Sequence, residues 1–445
     1  MFKKLLVLAI SLTLLGSMLY ASGRSNTNQS ASAPVDISLW QYPRFDGQDD
    51  FFNKKVIPAF NAAHPNVTVT VTTIPWDGGP EKVNIAIASG STPDILFDTE
   101  MRGHGYAERG VLVPLNDVIT ANSRNLDAVF QNSVAVGGNQ YLAPIYTAGC
   151  ASMVVNVALA EQYGIANMLP TDHMSWTLDE FYAFCRAATN AGRANGVYGI
   201  GMFAGSQSSD SNTMSWLMGS GSTILNSGAS EVALNSNAAA QTLDAMAKLV
   251  KDGLALPGAP TIIDDEIIEL FLNGKVVVCQ YGDLWTINEG LKRKEAGEIT
   301  GPMDPQYYLF PTLSGKPGKS VSYGATGLMV FNNKDTARIA AAKEFVGFFM
   351  NSEYESEFIE KAGQMAARSG YSLYKDKPKV TRQLQVMNTF APYFLPKWGN
   401  QLGCWSEVRT TFYPEIQAVY IGQKNGKTAL DSFAANANRI IKANN

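Results

Sequence analysis

The stretch from Gly90 to Arg102 constrains the fold more than any other part of this chain. Its apolar run, residues 94–97, follows a glycine and a proline, which is typical of a short strand that is covered on both faces, as in a parallel sheet. In open α/β sheets, ligands bind beyond the carboxyl ends of the strands. The polar loop that comes directly after the run, from Asp98 through Thr99 and Glu100 to Arg102, is therefore the first candidate for a ligand site.

The segments around this strand predict a sheet flanked by helices. Residues 35–40 and 67–74 alternate apolar and polar side chains as strands do, and a helix with Phe52, Val56 and Phe60 on one face separates them. This order predicts a doubly wound α/β lobe. The chain has 445 residues, of which 46% are hydrophobic, so it is long enough for two lobes, each with its own core.

The second half of the chain reads as mostly helical, with a few buried strands. Thr177 and Glu180 have the spacing of a capping box, which marks the start of a helix. The apolar run 275–279 predicts a buried strand, and polar and aromatic residues follow it, as they follow the strand before Asp98.

The N-terminus has the pattern of a secretory signal peptide. A positively charged start precedes an apolar run of about fifteen residues and a small-residue cleavage site. We predict a signal peptide over residues 1–21 and a flexible leader over residues 22–34. Because the first cysteine is Cys150, we expect a periplasmic protein that is not lipidated at an N-terminal cysteine. No later stretch has the length of a membrane span, so we expect a protein that is not membrane-embedded.

Charge and motifs argue against several classes of protein. The formal net charge is −4 and there is no basic stripe, which argues against nucleic acid as a partner. No His-x-x-His, Cys-x-x-Cys, Gly-x-Ser-x-Gly or phosphate-binding loop occurs. We therefore expect that the protein binds no metal and no cofactor and that it is not an enzyme. We expect the four cysteines to be free and buried, with one disulfide as the alternative; they are Cys150, Cys185, Cys279 and Cys404.

Seven phrases, in this order, resemble the type 1 extracellular solute-binding proteins of ABC importers, the group that includes maltose- and glycerol-phosphate-binding proteins. They are Ile37-Ser-Leu-Trp40, Pro58-Ala-Phe60 with His64-Pro65, Gly90-Ser-Thr-Pro-Asp-Ile-Leu-Phe97, Tyr106-Ala with Gly110-Val-Leu-Val-Pro-Leu115, Trp176-Thr-Leu-Asp-Glu-Phe181, Phe271-Leu-Asn-Gly-Lys275 and Ala341-Ala-Lys-Glu-Phe345. The resemblance covers nearly all of the chain after the predicted signal peptide.

The resemblance implies a two-lobed fold of periplasmic-binding-protein type II, with a mostly parallel sheet flanked by helices in each lobe. We expect residues 35–145 and 311–331 in the first lobe and residues 146–310 and 332–445 in the second, with hinge crossings near Ile145, Phe310 and Asn332. The implied function is to capture a sugar, an oligosaccharide or a polyol by hinge closure and to deliver it to inner-membrane ABC permease subunits. We expect a monomer without a cofactor.

A sugar presents hydroxyl groups and an apolar face, so its receptor needs polar groups that bind hydroxyls and aromatic platforms in a concave site. Residues of these types occur at predicted strand ends and in loops, and we predict them as ligand-binding: Trp40, Tyr42, Arg44, Trp76, Asp98, Glu100, Arg102, Tyr146 and Trp285. For each tryptophan the alternative is a place in the core or between the lobes.

The resemblance adds further candidates for the ligand site. Trp405 precedes Arg409 by four residues, as the stacking tryptophan and following arginine of the maltose-type site do. Gly282, Asp283 and Gly324 match loops that contact ligand in the family. The chain also departs from the family, and the specific ligands do not transfer. Asp98 stands where maltose-type proteins have an aromatic residue, and Gln364 stands where the glycerol-phosphate type has a tyrosine.

Several alternatives stay open at this point. The ligand could be a phosphorylated polyol, with Arg409 as the anion clamp, or Arg409 could pair with a local carboxylate such as Glu407. The protein could serve a sensory receptor rather than a transporter. A glycosidase using Glu100 and Asp283 as its two carboxylates is the remote alternative.

Overall fold

A computed structural model describes residues 33–76, 78–128 and 130–444. The predicted signal peptide and the predicted leader, apart from the last two residues of the leader, lie outside this range. In chain order, the strands are β1 (Val35–Gln41), β2 (Val67–Thr73), β3 (Ile95–Thr99), β4 (Ala135–Val136), β5 (Asn139–Gln140), β6 (Ala143–Thr147), β7 (Met153–Asn156), β8 (Tyr198–Gly201), β9 (Val276–Cys279), β10 (Pro305–Tyr308), β11 (Ser320–Val321), β12 (Thr326–Val330), β13 (Met365–Ala366) and β14 (Phe394–Leu395).

The chain forms two lobes, each built on its own sheet. The sheet of the first lobe has six strands in the order β13-β6-β12-β3-β1-β2, and that of the second lobe has four in the order β10-β7-β9-β8. The two-lobed α/β class is confirmed, but the sheets are mixed rather than mostly parallel. β2, β1 and β3 run parallel, as do β8 and β9, and the other neighbours in these two sheets are antiparallel. β7 and β12 enter their sheets directly from the hinge, which reverses their direction.

Helices cover both sheets. They are α1 (Gln48–Phe51), α2 (Ile57–Ala63), α3 (Gly79–Ser89), α4 (Glu100–Glu108), α5 (Asn116–Ala121), α6 (Val157–Gln162), α7 (Leu178–Gly192), α8 (Ser209–Gly219), α9 (Asn237–Lys251), α10 (Asp264–Leu272), α11 (Leu284–Glu295), α12 (Thr336–Phe349), α13 (Glu353–Lys361), α14 (Pro378–Phe390), α15 (Trp405–Thr410), α16 (Tyr413–Tyr420) and α17 (Gly426–Asn444). A π-helical turn, Phe52–Val56, joins α1 and α2, and short 3₁₀ turns lie at Ala166–Met168, Arg193–Asn195 and Ala391–Tyr393.

The first predicted helix illustrates how periodicity sets the core. Phe52, Val56 and Phe60 are fully buried, as their spacing predicts, and pack in the core of the first lobe. Pro58 follows the π-helical turn; because proline has no N–H to donate, the regular helical hydrogen-bond ladder is interrupted here. The predicted capping box at Thr177 and Glu180 is present at the start of α7.

The division of the chain between the lobes differs from the prediction in two places. Helices α12 and α13 pack on the sheet of the first lobe, where Phe345 and Phe358 are fully buried in its core, so this part of the range 332–445 lies with the first lobe. The loop after β10 stays with the second lobe, since the Thr312 amide donates to the Trp176 carbonyl at 3.1 Å. An amphipathic pattern shows that one face of a helix is buried, but not which sheet buries it.

Three connections therefore cross between the lobes, at residues 148–152, 320–325 and 371–378, and the second and third differ from the predicted positions. The first two run side by side, because the Ala151 amide donates to the Val321 carbonyl at 2.8 Å and the Tyr323 amide donates to the Gly149 carbonyl at 2.9 Å. β11 also pairs with β14 in parallel. The hinge is thus a small hydrogen-bonded layer between the two cores.

Candidate ligand-binding cleft

The candidate site begins at the edge of the first sheet that faces the hinge. There the register aligns Thr99 of β3 with Thr326 of β12, Thr326 with Tyr146 of β6, and Tyr146 with Ala366 of β13. Neighbouring strands lie about 4.8 Å apart, so these residues form one continuous row. We call the region between this row and the facing residues of the second lobe, which include Asp283, Asn400 and Trp405, the cleft.

Beyond β1, two aromatic rings stack on each other, one arginine lies over one of the rings, and a second arginine lies beside both rings. The rings of Tyr42 and Trp76 lie 4.3 Å apart at an angle of 15°. The guanidinium of Arg44 lies 4.2 Å from the centre of the Trp76 ring, and that of Arg102 lies 5.2 Å from the centre of the Tyr42 ring. Arg44 and Tyr42 cannot share one face of Trp76 at these distances, so both faces are covered. The structure therefore gives Trp76 a role in holding Arg44, rather than a free face for a sugar.

Asp98 and Arg102 form a buried ion pair at the start of α4. The segment was predicted as a loop, but β3 ends at Thr99 and α4 begins at Glu100, which sets Asp98 and Arg102 one helical turn apart. Arg102 Nε donates to Asp98 Oδ2 at 2.8 Å, and Nη2 donates to Oδ1. Because Asp98 is fully buried, this pairing compensates its charge, and the two side chains neutralise each other inside the protein.

Glu100 connects the two lobes. Its Oε2 accepts from the Ala325 amide of the first lobe at 2.9 Å, and its Oε1 accepts from Asn400 Nδ2 of the second lobe at 3.2 Å. The side chain is 6% exposed, and burial raises its pKa to about 7. Gly324 makes this approach possible: its φ is +62°, and a Cβ there would lie 1.9 Å from the Glu100 carboxyl carbon.

Asp283 forms a second contact between the lobes. It caps α11 by accepting from the Thr286 amide at 2.9 Å, and its Oδ2 accepts from Gln364 Nε2 of the first lobe at 3.3 Å. Burial raises the pKa of Asp283, which favours its neutral form.

The residues that flank Asp283 are closely packed. Gly282 lies against Val154, where an added Cβ would be 2.0 Å from a side-chain carbon. Trp285 is partly buried, and an added Cβ on Gly363 of the first lobe would lie 2.9 Å from its Cα. Both glycines therefore let main chains approach closely, Gly282 within the second lobe and Gly363 between the lobes.

Trp405 lies on the second-lobe side of the cleft, but its ring is enclosed by protein. The side chain is 1% exposed, and Trp398 packs edge-on against it with ring centres 5.6 Å apart. An added Cβ on Gly399 would lie 2.1 Å from the Trp405 ring, so the main chain presses on the indole. These surroundings agree with the alternative that Trp405 is a core residue rather than a platform for a sugar.

Arg409 pairs with a carboxylate that the sequence analysis did not consider. Its Nη2 donates to Asp210 Oδ1 at 2.8 Å, its Nε donates to the other oxygen, and Asp210 is fully buried. Glu407, the local partner considered above, is exposed. Arg409 is therefore held within the second lobe by α8.

Trp40 packs against the same hydrophobic cluster as Tyr42 and Trp76. It is partly buried, and Lys82 Nζ of α3 lies 4.9 Å from the centre of its ring.

Several buried polar atoms in this region have no hydrogen-bond partner among the described residues. They come from both lobes and are Tyr42 Oη, Arg44 Nη2, Thr99 Oγ1, Tyr146 Oη, Gln364 Oε1 and Trp405 Nε1. A buried polar atom without a partner costs free energy, so a group of them marks a place where a polar molecule can bind.

Sequence reasoning did not single out Thr99, Asp210 or Asn400 as residues of this site. Thr99 lay within the predicted polar loop from Asp98 to Arg102, directly after a buried strand, which is a signal for a site residue. Asp210 and Asn400 carry no such signal, because each acts on a residue that is about 200 or 300 positions away, as in the pairs 210–409 and 100–400.

In the part of the chain that the structure describes, no group of three His, Cys, Asp or Glu side chains could hold a metal ion, and no helix combines the length and the hydropathy needed to cross a membrane. The four cysteines are free in the structure, and three of them, Cys150, Cys185 and Cys279, are buried.

Comparison with known proteins gives a family and a fold. The sequence profile of the bacterial extracellular solute-binding proteins matches residues 45–356. Two relatives, described as binding proteins from Brucella abortus (strain 2308) and Brucella suis biovar 1 (strain 1330), are each 22% identical over 397 residues, which is 87% of this chain and 89% of each relative.

Solved structures of similar fold include three with a bound small molecule. A solute-binding protein of an ABC transporter from Thermotoga lettingae, bound to α-D-tagatose, has a TM-score of 0.77 at 20% identity and covers 91% of this chain and 99% of its own. Maltose-bound MalE3 of T. maritima has a TM-score of 0.75 at 19% identity, with 91% and 100% covered. A solute-binding protein from Agrobacterium radiobacter in complex with ribitol has a TM-score of 0.73 at 16% identity, with 92% and 99% covered.

Proposed function

Because the chain belongs to the family of bacterial extracellular solute-binding proteins, we propose that it captures a sugar, an oligosaccharide or a polyol in its cleft for an ABC importer. It would work in the periplasm as a monomer, exported by its signal peptide, and hand its ligand to inner-membrane permease subunits. The proteins of similar fold that hold tagatose, maltose and ribitol support this class of ligand.

The observation that carries the proposal is the group of buried polar atoms in the cleft that have no hydrogen-bond partner among the described residues. Tyr146 Oη and Thr99 Oγ1 can each donate and accept, Arg44 Nη2 can donate, and Gln364 Oε1 can accept. A polyhydroxy ligand offers donors and acceptors in the same mixture, so it can satisfy all of these atoms at once. An apolar ligand would leave them unpaired, at a cost of about 1 to 3 kcal/mol each.

The contacts between the lobes indicate how binding is coupled to closure. Glu100 with Asn400, and Asp283 with Gln364, join side chains of opposite lobes, so these pairs would stabilise a form in which the lobes are close together. A ligand that contacts both lobes adds to the same set of interactions. Its binding therefore shifts the population toward the closed form, which a permease can recognise.

The other candidate functions fit the geometry less well. Each carboxyl oxygen of Glu100 and Asp283 already accepts a hydrogen bond from the protein, which supports a binding role over that of a glycosidase pair. Arg409 is occupied by Asp210, so it does not supply the anion clamp considered from the sequence. Uptake measurements in cells that lack the protein would separate import from sensing.

A thermal-shift screen of the exported form against monosaccharides, oligosaccharides and sugar alcohols tests the proposal. A ligand at about a hundred times its Kd should stabilise the protein by roughly 2.7 kcal/mol. Tyr146→Phe, which removes one of the hydroxyls without a partner, should weaken binding, whereas Tyr163→Phe at the end of α6 should not. If no compound of the panel raised the melting temperature, the result would count against a carbohydrate ligand.

A further inference from the structure

Arg44 differs from the other arginines of the cleft region in what surrounds its guanidinium. The group lies 4.2 Å from the centre of the Trp76 ring and 5.6 Å from the centre of the Tyr146 ring. These contacts hold its plane in place, while its main-chain amide is fixed by Gln48 Oε1 at 2.7 Å. Its Nη2 is buried and has no partner among the described residues.

Two other arginines near the cleft are compensated by carboxylates. Arg102 is paired with Asp98, and Arg409 is paired with Asp210. Among residues 33–76, 78–128 and 130–444, no carboxylate forms an ion pair with Arg44. The cleft therefore holds one oriented guanidinium whose charge the described residues do not neutralise.

The carboxyl groups of Glu100 and Asp283 form no ion pair with Arg44, and their oxygens accept hydrogen bonds from other groups of the protein. Burial raises the pKa of Glu100 to about 7, so this carboxyl is partly protonated at neutral pH, and burial also raises the pKa of Asp283. A partly buried cation without a counterion is unfavourable, and a guanidinium held flat presents two parallel N–H groups that match a carboxylate or a phosphate.

We propose that Arg44 is a specificity-determining residue, and that the preferred ligand is a sugar or polyol derivative carrying a carboxylate or a phosphate group. The anionic group would bind at Arg44 Nη2, and the hydroxyls of the ligand would satisfy Thr99, Tyr146 and Gln364. This inference rests on the proposed function, because it concerns the same cleft, and it moves the anion site from Arg409 to Arg44.

Isothermal titration calorimetry with matched ligand pairs tests the inference. In two pairs a carboxylate replaces a hydroxymethyl group: glucitol with gluconate, and galactose with galacturonate. In the third, glycerol with glycerol 3-phosphate, the anionic member carries an added phosphate group. We expect the anionic member of at least one pair to bind more tightly by about tenfold to a hundredfold, the range for a hydrogen bond to a charged group. Preference within the carboxylate pairs or within the phosphate pair tells which anion the site takes.

Variants of Arg44 show whether this side chain carries the preference. Arg44→Gln should remove the tenfold to hundredfold difference, and Arg44→Lys, which keeps the charge but loses the planar fork, should restore part of it. Arg109→Gln is the matched control: Arg109 is exposed and binds Asn84 away from the cleft, so the preference should be unchanged. Circular dichroism of each variant checks that it is folded.

The outcomes separate this inference from the proposed function. Neutral members that bind as tightly as their anionic partners, or a preference that survives in Arg44→Gln, would overturn the role of Arg44 and leave the sugar-binding proposal standing. A protein that binds neither member of any pair and no saccharide in the thermal-shift screen would overturn both.

Discussion

Replacing Glu100 by glutamine should remove a defined part of the pH dependence of stability. Burial raises the pKa of Glu100 from 4.5 in the unfolded chain to about 7 in the folded protein. Between these values the folded protein holds a proton that the unfolded chain has released. The contribution of Glu100 to stability is therefore greatest below about pH 4.5 and is lost as the pH rises through about 7.

The size of the effect follows from the shift. One pKa unit corresponds to about 1.36 kcal/mol, so a shift from 4.5 to about 7 changes the free energy of unfolding by about 2.5 kcal/mol between pH 5 and pH 8. Glutamine does not titrate, and it can keep one of the two hydrogen bonds, to Ala325 or to Asn400. Relative to the wild type, the variant should gain this amount as the pH rises.

Guanidinium chloride unfolding at pH 5, 6, 7 and 8, followed by tryptophan fluorescence, measures the difference between the two proteins. Other titrating groups, such as Asp283, are present in both and cancel in the difference. Glu407→Gln changes an exposed carboxyl and is the matched control. A difference between wild type and Glu100→Gln that stays constant from pH 5 to pH 8 would refute burial of Glu100 as the cause.

Two further predictions concern the packing around the cleft. Asp210→Asn should destabilise the protein by about 3 to 5 kcal/mol, because it leaves Arg409 buried without its counterion. The double replacement Asp210→Leu with Arg409→Met should lower the free energy of unfolding much less, and chemical unfolding of both variants measures the difference. Gly105→Ala should weaken ligand binding, measured by calorimetry, because the added Cβ would lie 2.9 Å from the Gly403 carbonyl oxygen of the other lobe. The same substitution should raise the free energy of unfolding by up to about 1 kcal/mol, because alanine favours the helix α4 more than glycine does. Unchanged affinity in Gly105→Ala would show that the lobes need not approach this closely.

Much of the first lobe could be predicted from local patterns. The alternation of β1 and β2, the buried run of β3 and the face formed by Phe52, Val56 and Phe60 all appear in the structure. These features depend on residues that are near one another in the chain, so the spacing of the apolar residues predicts which face of each strand or helix is buried. The same holds for the capping box of α7.

The candidate residues divide according to what surrounds them. The sequence correctly placed polar and aromatic side chains after β1 and β3, and the structure brings Tyr42, Arg44 and Arg102 together there. It could not show that Trp76 is covered on both faces or that the Trp405 indole is enclosed. From the sequence, a tryptophan in a binding site cannot be distinguished from a tryptophan in a core, because both environments contact its large apolar surface.

By itself, the sequence determined the α/β class, the positions of most strands and the side of each helix that is buried, since these follow from spacing along the chain. The tertiary structure decided which lobe receives α12 and α13, and which charges are neutralised: Asp210 pairs with Arg409 across 199 positions, and Asn400 reaches Glu100 across 300. Such contacts join segments that are far apart in the chain, so only the tertiary structure shows that Arg102 and Arg409 are paired, whereas Arg44 has no carboxylate partner among the described residues.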